Sequence, residues 1–216
     1  MTGIILKDLK EAFFLKKNTI SWLFSILMVL LCIFVLPVRY IYVLCVVIVH
    51  PMLGASILQY SIEQDEISGF DKILLTYPIT KKEIILSKYI SGILLNVVLA
   101  VINFILALQF SFGHKVIGFT TAMEIWFLGI ILSILFMAAN YMMFFWLGNK
   151  KGTLVYLIIT VMLALGYIVS YYSVDLSGLA EMSRSVLMAA GFLVSVLALV
   201  GSYFASIKIY TKNHVK

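Results

Sequence analysis

His50 is an ionisable side chain set deep inside a hydrophobic stretch, and Pro51, Gly54, Ala55 and Ser56 follow it closely enough to loosen a helix there. A titratable group at such depth is a candidate pathway residue. The other reading is a neutral imidazole bonded to the backbone that Pro51 frees, and one isolated histidine makes no proton relay. Asn96, Asn103 and Asn140 could line a path, though interhelical hydrogen bonding is the commoner use of asparagine in such surroundings. The patterns of familiar enzymes are missing. There is no G-x-x-x-x-G-K-[ST] loop, and the GNKKG of 148–152 lacks the spacing that lets backbone amides cradle phosphate. There is also no H-E-x-x-H, no G-x-S-x-G and no carboxylate pair within an apolar stretch, so the chain reads as non-catalytic, with no catalytic or metal-ligating residues. Cys32 and Cys45 lack metal-ligand spacing and read as small buried hydrophobes.

The elements that would hold these residues follow from composition. Of 216 residues, 63% are hydrophobic and 12% charged, with mean hydropathy +1.10, far from a soluble globular composition. Apolar runs near 20 residues long recur between short polar breaks, which specifies an all-α integral membrane protein. Six transmembrane helices are predicted, at about 20–36, 40–60, 89–112, 123–147, 153–174 and 185–207, followed by a tail at 208–216. Residues 1–19 are predicted to contain an amphipathic interfacial helix. Its apolar face carries Ile5, Leu6, Leu9, Ala12 and Phe13, with Lys7, Asp8, Lys10, Glu11 and Lys17 mostly opposite. Thirteen of the sixteen Lys and Arg fall in the first arm, the 61–88 loop, the 148–152 turn and the tail, which places both termini in the cytoplasm of a cell-membrane protein. The same dispersal explains a pI near 9.2 without a nucleic-acid partner.

The 61–88 loop is the longest polar interval. Ser68 with Asp71 and Thr80 with Glu83 each fit a capping box, predicting a short helix at about 69–76 and another starting at Lys81. Phe70, Ile73, Leu74 and Tyr77 fall on one face of the short helix, with Asp71 and Lys72 turned away, and Pro78 stops it. An exposed apolar face of this kind needs either a groove on a partner or a place on the protein's own spans or in the headgroups.

The segment ILLTYPITKKEIILSKYISG at 73–92, preceded by Glu63, Asp65 and Glu66, resembles the first cytoplasmic loop of type-2 ABC-transporter permeases. In that family an acidic segment leads to a leucine-rich piece, a turn of the form slP(v/i)(t/s)(r/k), and an iv.sKy entry into the third span. Leu75, Tyr77, Pro78, Ile79, Thr80, Lys81, Lys88 and Tyr89 match it. The sequence is similar to small bacterial permeases that export phenol-soluble modulins or lantibiotics. Many members carry a longer re-entrant segment between spans five and six, where only 175–184 is available here. The resemblance implies the membrane subunit of an exporter of amphipathic peptides or hydrophobic compounds. It implies two copies of a separate ABC ATPase, which bind ATP and Mg, and a second permease chain, identical or homologous. Phe70, Asp71, Ile73, Leu74, Tyr77 and Pro78 would then form the ATPase-coupling helix. The alternative is an immunity or regulatory membrane protein that sequesters a peptide without pumping it.

Overall fold

In hydrocarbon every peptide group must find its partner within the protein, and this chain meets that demand with helices. The computed structural model describes residues 1–35, 37–74, 76–173 and 184–213, with backbone alone at 28, 32, 71, 167–173 and 213. The helices are α1 (Thr2–Phe14), α2 (Lys16–Val35), α3 (Arg39–Ser68), α4 (Phe70–Leu74), α5 (Lys81–Gly113), α6 (Phe119–Ser173) and α7 (Arg184–Asn213). Five of them, α2, α3, α5, α6 and α7, are long and apolar enough to cross a membrane. The link expected at 175–184 lies outside the described residues except for Arg184.

Two helices outrun their apolar stretches, so the loop between them is shorter than the sequence suggests. α3 continues to Ser68 and α5 begins at Lys81. The Thr80–Glu83 capping box forms as expected, with the Thr80 N–H donating to Glu83 Oε2 at 2.9 Å and the Glu83 N–H to Thr80 Oγ1 at 3.3 Å. The Ser68 box does not. Gly69, at φ 65°, ends α3 by donating its N–H to the Asp65 carbonyl, and the Ser68 hydroxyl donates back to the Gln64 carbonyl at 2.7 Å. Among the described residues the short helix is therefore Phe70–Leu74.

α3 is the central helix: 61% of its most apolar window is buried, against 19% for α2 and 11% for α7. Pro51 shapes it. Proline has no N–H and its ring crowds the carbonyl four residues back, and the preceding Cys45–Val49 widens into a π-helical turn in which the His50 N–H bonds to the Cys45 carbonyl. One residue past the proline, the Met52 carbonyl accepts from the Tyr156 hydroxyl of α6 at 2.9 Å.

α6 is not straight. Gly148, at φ 74° and ψ −179°, leaves the helical region. Twenty residues of unbroken helix would put Phe136 and Tyr156 about 30 Å apart, yet their rings lie 5.6 Å from centroid to centroid. The limbs 119–147 and 149–173 thus fold back on each other, and Glu66 Oε1 accepts the Asn149 N–H at 3.2 Å at the start of the second limb.

Lipid tails are as apolar as leucine, so close packing and interhelical hydrogen bonds hold such a bundle together. The inner face of α7 uses small residues: Ser195 is buried, and the buried Ser202 donates to the Ala138 carbonyl at 2.6 Å. Tyr89 of α5 joins the same face through Ser202 at 2.7 Å and Ser206 at 3.0 Å. Asn96 makes the interhelical bonds expected of it, donating to the Gly54 carbonyl of α3 at 3.2 Å and accepting from Ser133 of α6. Gly129 lets α6 approach the π-helical turn so closely that an added Cβ would lie 2.8 Å from the Val46 carbonyl. Gly129→Ala should therefore cost roughly 1–3 kcal/mol by overpacking, whereas Gly201→Ala, with nothing within 4 Å, should be neutral or stabilising. Thermal unfolding of both variants in one detergent tests this.

Candidate functional site

The polar feature that joins most elements lies where α1, α3 and α5 meet beneath α4. α1 turns Ile4, Asp8 and Ala12 inward at i, i+4 and i+8, and all three are buried. Asp8 is fully buried, a correction to its expected place on the solvated face of α1, while Leu6 and Phe14 point outward at 67% and 78% exposure. The last turns of α3 present Ser61 and Asp65 at i and i+4, and α5 supplies Lys88 from its second turn.

Lys88 is 4% exposed and occupies the centre. Its Nζ donates to Asp8 Oδ1 at 2.9 Å, to Asp65 Oδ2 at 2.6 Å and to the Ser61 hydroxyl. The Ser61 hydroxyl in turn donates a hydrogen bond to Asp8 Oδ1 at 2.7 Å. Lys7 adds an outer layer, bonding Asp65 Oδ1 and Glu11 Oε2, the latter at 2.9 Å, and standing 4.2 Å over the Phe70 ring. Burial raises the Glu11 carboxyl above its ordinary range, and the Lys7 ammonium opposes that shift. Two ammonium groups thus hold three carboxylates from two helices and reach α4 through Phe70.

α4 sits on this base differently from the expectation that its whole apolar face is open. Leu74 is 2% exposed and packs with Ile4 of α1 and Ile84 of α5, and Phe70 is half-buried against the same group. Ile73 and Tyr77 remain 48% and 53% exposed, and Pro78 is exposed beyond them. The Asp71 side chain and Leu75 lie outside the described residues. The expected face therefore divides, with Phe70 and Leu74 seating the helix on its own chain and Ile73 and Tyr77 left outward.

His50 lies in the middle of the bundle, 2% exposed and apart from the charges. The Asn96 main chain faces the imidazole, but neither ring nitrogen has hydrogen-bond geometry to a described group, so the expected bond to backbone freed by Pro51 is not made. Asn140 is spent on the Phe136 carbonyl at 2.8 Å. Sequence reasoning missed Asp8, Ser61 and the central role of Lys88. The available signal was a charge on the otherwise apolar Ile4–Asp8–Ala12 face together with the matched motif lysine.

A bundle of long apolar helices, carrying a paired charge network under a short helix outside it, is the arrangement of a helical membrane protein. Residues 3–211 match the profile of a family described as ABC-2 family transporter protein, and the chain belongs to that family. It is a membrane permease of the type-2 ABC class, for which family membership implies an ATPase partner. No curated protein and no solved structure matches the chain.

Breaking a buried ion pair from one side leaves the other charge uncompensated, at about 3–5 kcal/mol. Lys88→Met should accordingly abolish accumulation of folded protein, and adding Asp8→Asn with Asp65→Asn should restore much of it. Fluorescence size-exclusion chromatography of both variants in mild detergent is the measurement, and equal profiles would show that Lys88 is not the organising charge.

Proposed function

We propose that the chain is the membrane-spanning permease subunit of an ATP-driven exporter, with α4 receiving the motion of a separate ATPase. The observation that carries this reading is the outward pair Ile73 and Tyr77 on a helix clamped to α1, α3 and α5 by Lys7, Phe70 and Leu74. A partner that grips the outward pair would move three bundle helices together, because rigid packing transmits displacement. The two limbs of α6, each long enough to cross, bring the reading to six passes with both termini in the cytoplasm, which agrees with the lysine distribution. Two such chains would enclose the path and two ATPase subunits would drive it, ATP and Mg residing in the ATPase. The substrate fitting this family setting is an amphipathic peptide or hydrophobic compound, and His50 is the candidate pathway residue.

The decisive experiment is co-purification of an ABC ATPase with the permease from cells that express both. Ile73→Ala with Tyr77→Ala should remove ATPase from the complex while permease levels hold, because both side chains are outward. Lys72→Ala should change association little, since a solvated charge contributes well under 1 kcal/mol. Retention of ATPase and export by the Ile73 and Tyr77 double variant would reject α4 as the docking element. Association without any substrate efflux would favour a sequestering protein over a pump.

Topology has its own test. Single cysteines at Lys72 and Lys150 should both resist an impermeant thiol reagent in intact cells and react after permeabilisation. Labelling of both from outside would invert the arrangement.

A further inference from the structure

Where the start of α2 faces the last turns of α3, a recess of about 350 Å³ is lined by polar side chains. α2 contributes Lys16 and Lys17. α3 contributes Tyr60, Glu63 and Gln64, which share one helical face at i, i+3 and i+4. The charges do not cancel, because two ammonium groups stand against one carboxylate. Lys17 is engaged by Glu63 at 2.7 Å, while Lys16 is exposed and makes no ion pair among the described residues. The Tyr60 hydroxyl lies within electrostatic range of Lys17 and Glu63. Neither it nor the Gln64 carboxamide bonds a described group, although both residues are half-buried. The recess thus holds one uncompensated cation and two further unused donors, the requirements of a singly charged oxyanion.

Lys16 also heads the outward side of α2. Ile20, Leu23 and Leu27 follow it at i+4, i+7 and i+11 and are 67%, 62% and 55% exposed. At 1.5 Å per residue Leu27 lies about 16 Å along the helix from Lys16, close to one leaflet of a hydrocarbon core roughly 30 Å thick. Phe14 and Ile67, both exposed, flank the recess at its own level. A cation with spare donors at the water edge, above an apolar stripe one leaflet deep, matches an anionic head joined to acyl chains in both charge and length. A lysine that merely snorkels to the interface needs no such donors beside it.

We propose that this recess binds the phosphodiester of one anionic phospholipid through Lys16, Tyr60 and Gln64, with its acyl chains along Ile20, Leu23 and Leu27. Glu63 tunes the site by holding the Lys17 ammonium away from the phosphate. The binding is independent of the exporter reading, and only its assignment to the cytoplasmic leaflet uses the topology proposed above.

The test counts lipids on the full chain by native mass spectrometry from mild detergent, titrating palmitoyl-oleoyl phosphatidylglycerol, the phosphatidylcholine of the same chains, and inorganic phosphate. The first phosphatidylglycerol should bind roughly tenfold more tightly than phosphatidylcholine. Lys16→Gln should bring it down to the phosphatidylcholine level, and Lys16→Arg should keep the preference. Glu63→Gln, which frees Lys17, should tighten phosphatidylglycerol several-fold. Lys150→Gln removes the same charge elsewhere and should change nothing. Because Lys16 and Lys150 are exposed, the unfolding temperature of their variants should hold. Equal affinity for the two lipids, or an equal loss from Lys16→Gln and Lys150→Gln, would overturn the site in favour of diffuse attraction. Displacement of phosphatidylglycerol by inorganic phosphate would make the recess a free-anion site and overturn the lipid assignment. The remaining occupant is a second copy of the chain. With Cys32→Ser and Cys45→Ser, Leu23→Cys should stay uncoupled in membranes treated with a short bismaleimide, and efficient coupling of two copies would place a protein on the stripe and overturn the proposal. Labelling of the loops from outside would move the lipid to the other leaflet and leave the recess standing.

Discussion

The fold depends on keeping one ammonium charged in its interior. Moving an isolated ion from water into such surroundings costs several kcal/mol even after relaxation, and Lys88 avoids that only because Asp8, Asp65 and Ser61 surround its Nζ. These partners come from α1 and α3, so the charge cannot be satisfied unless both helices are seated on α5. A pairing of this kind acts less as net stabilisation than as a constraint on register. Shifting α1 by one residue would turn Asp8 off its face and strand Lys88. The same constraint reaches α4, because Lys7 holds both Asp65 and the Phe70 ring.

Packing elsewhere complements that constraint without charge. Small residues bring the backbones close, and a hydrogen bond then crosses the contact. Gly54 faces the Asn96 carboxamide, which bonds its carbonyl, and Ser202 reaches the Ala138 carbonyl while receiving Tyr89. Gly129 against Val46 shows the limit of approach. Such contacts are needed because burying leucine against leucine gains little when the alternative is lipid. The outward faces of α2 and α7 accordingly carry exposed Leu23, Phe24, Leu193 and Phe204 with no protein partner required.

How much of this was legible depends on the range of the interaction. Helix existence, the Thr80 box and the break at 148 are local, governed by hydropathy, capping and glycine, and each is visible in a few consecutive residues. Asp8 with Lys88 is a contact across 80 positions. From sequence Asp8 stood on the polar face of an interfacial helix and Lys88 among the charges of the 61–88 loop, because charge alone does not reveal whether its partners await it in the fold. The same limit split the apolar face of α4. Periodicity put Phe70, Ile73, Leu74 and Tyr77 together, but only the position of Ile4 and Ile84 decides that Leu74 faces inward and Tyr77 does not. His50 was legible as unusual, while the absence of a partner for its ring nitrogens among the described residues depends on which groups the neighbouring helices bring to it.

The charged junction and the buried imidazole are therefore opposites. Around Lys88 almost every donor and acceptor is matched, and a satisfied network is stiff. His50 is buried as deeply as Lys88, yet neither of its ring nitrogens has a partner among the described residues. An ion must be matched to be buried at all, whereas a neutral polar group can be left unmatched at a smaller cost. The demand for partners therefore falls most heavily where α1, α3 and α5 meet, and that junction is where the register of the three helices is set.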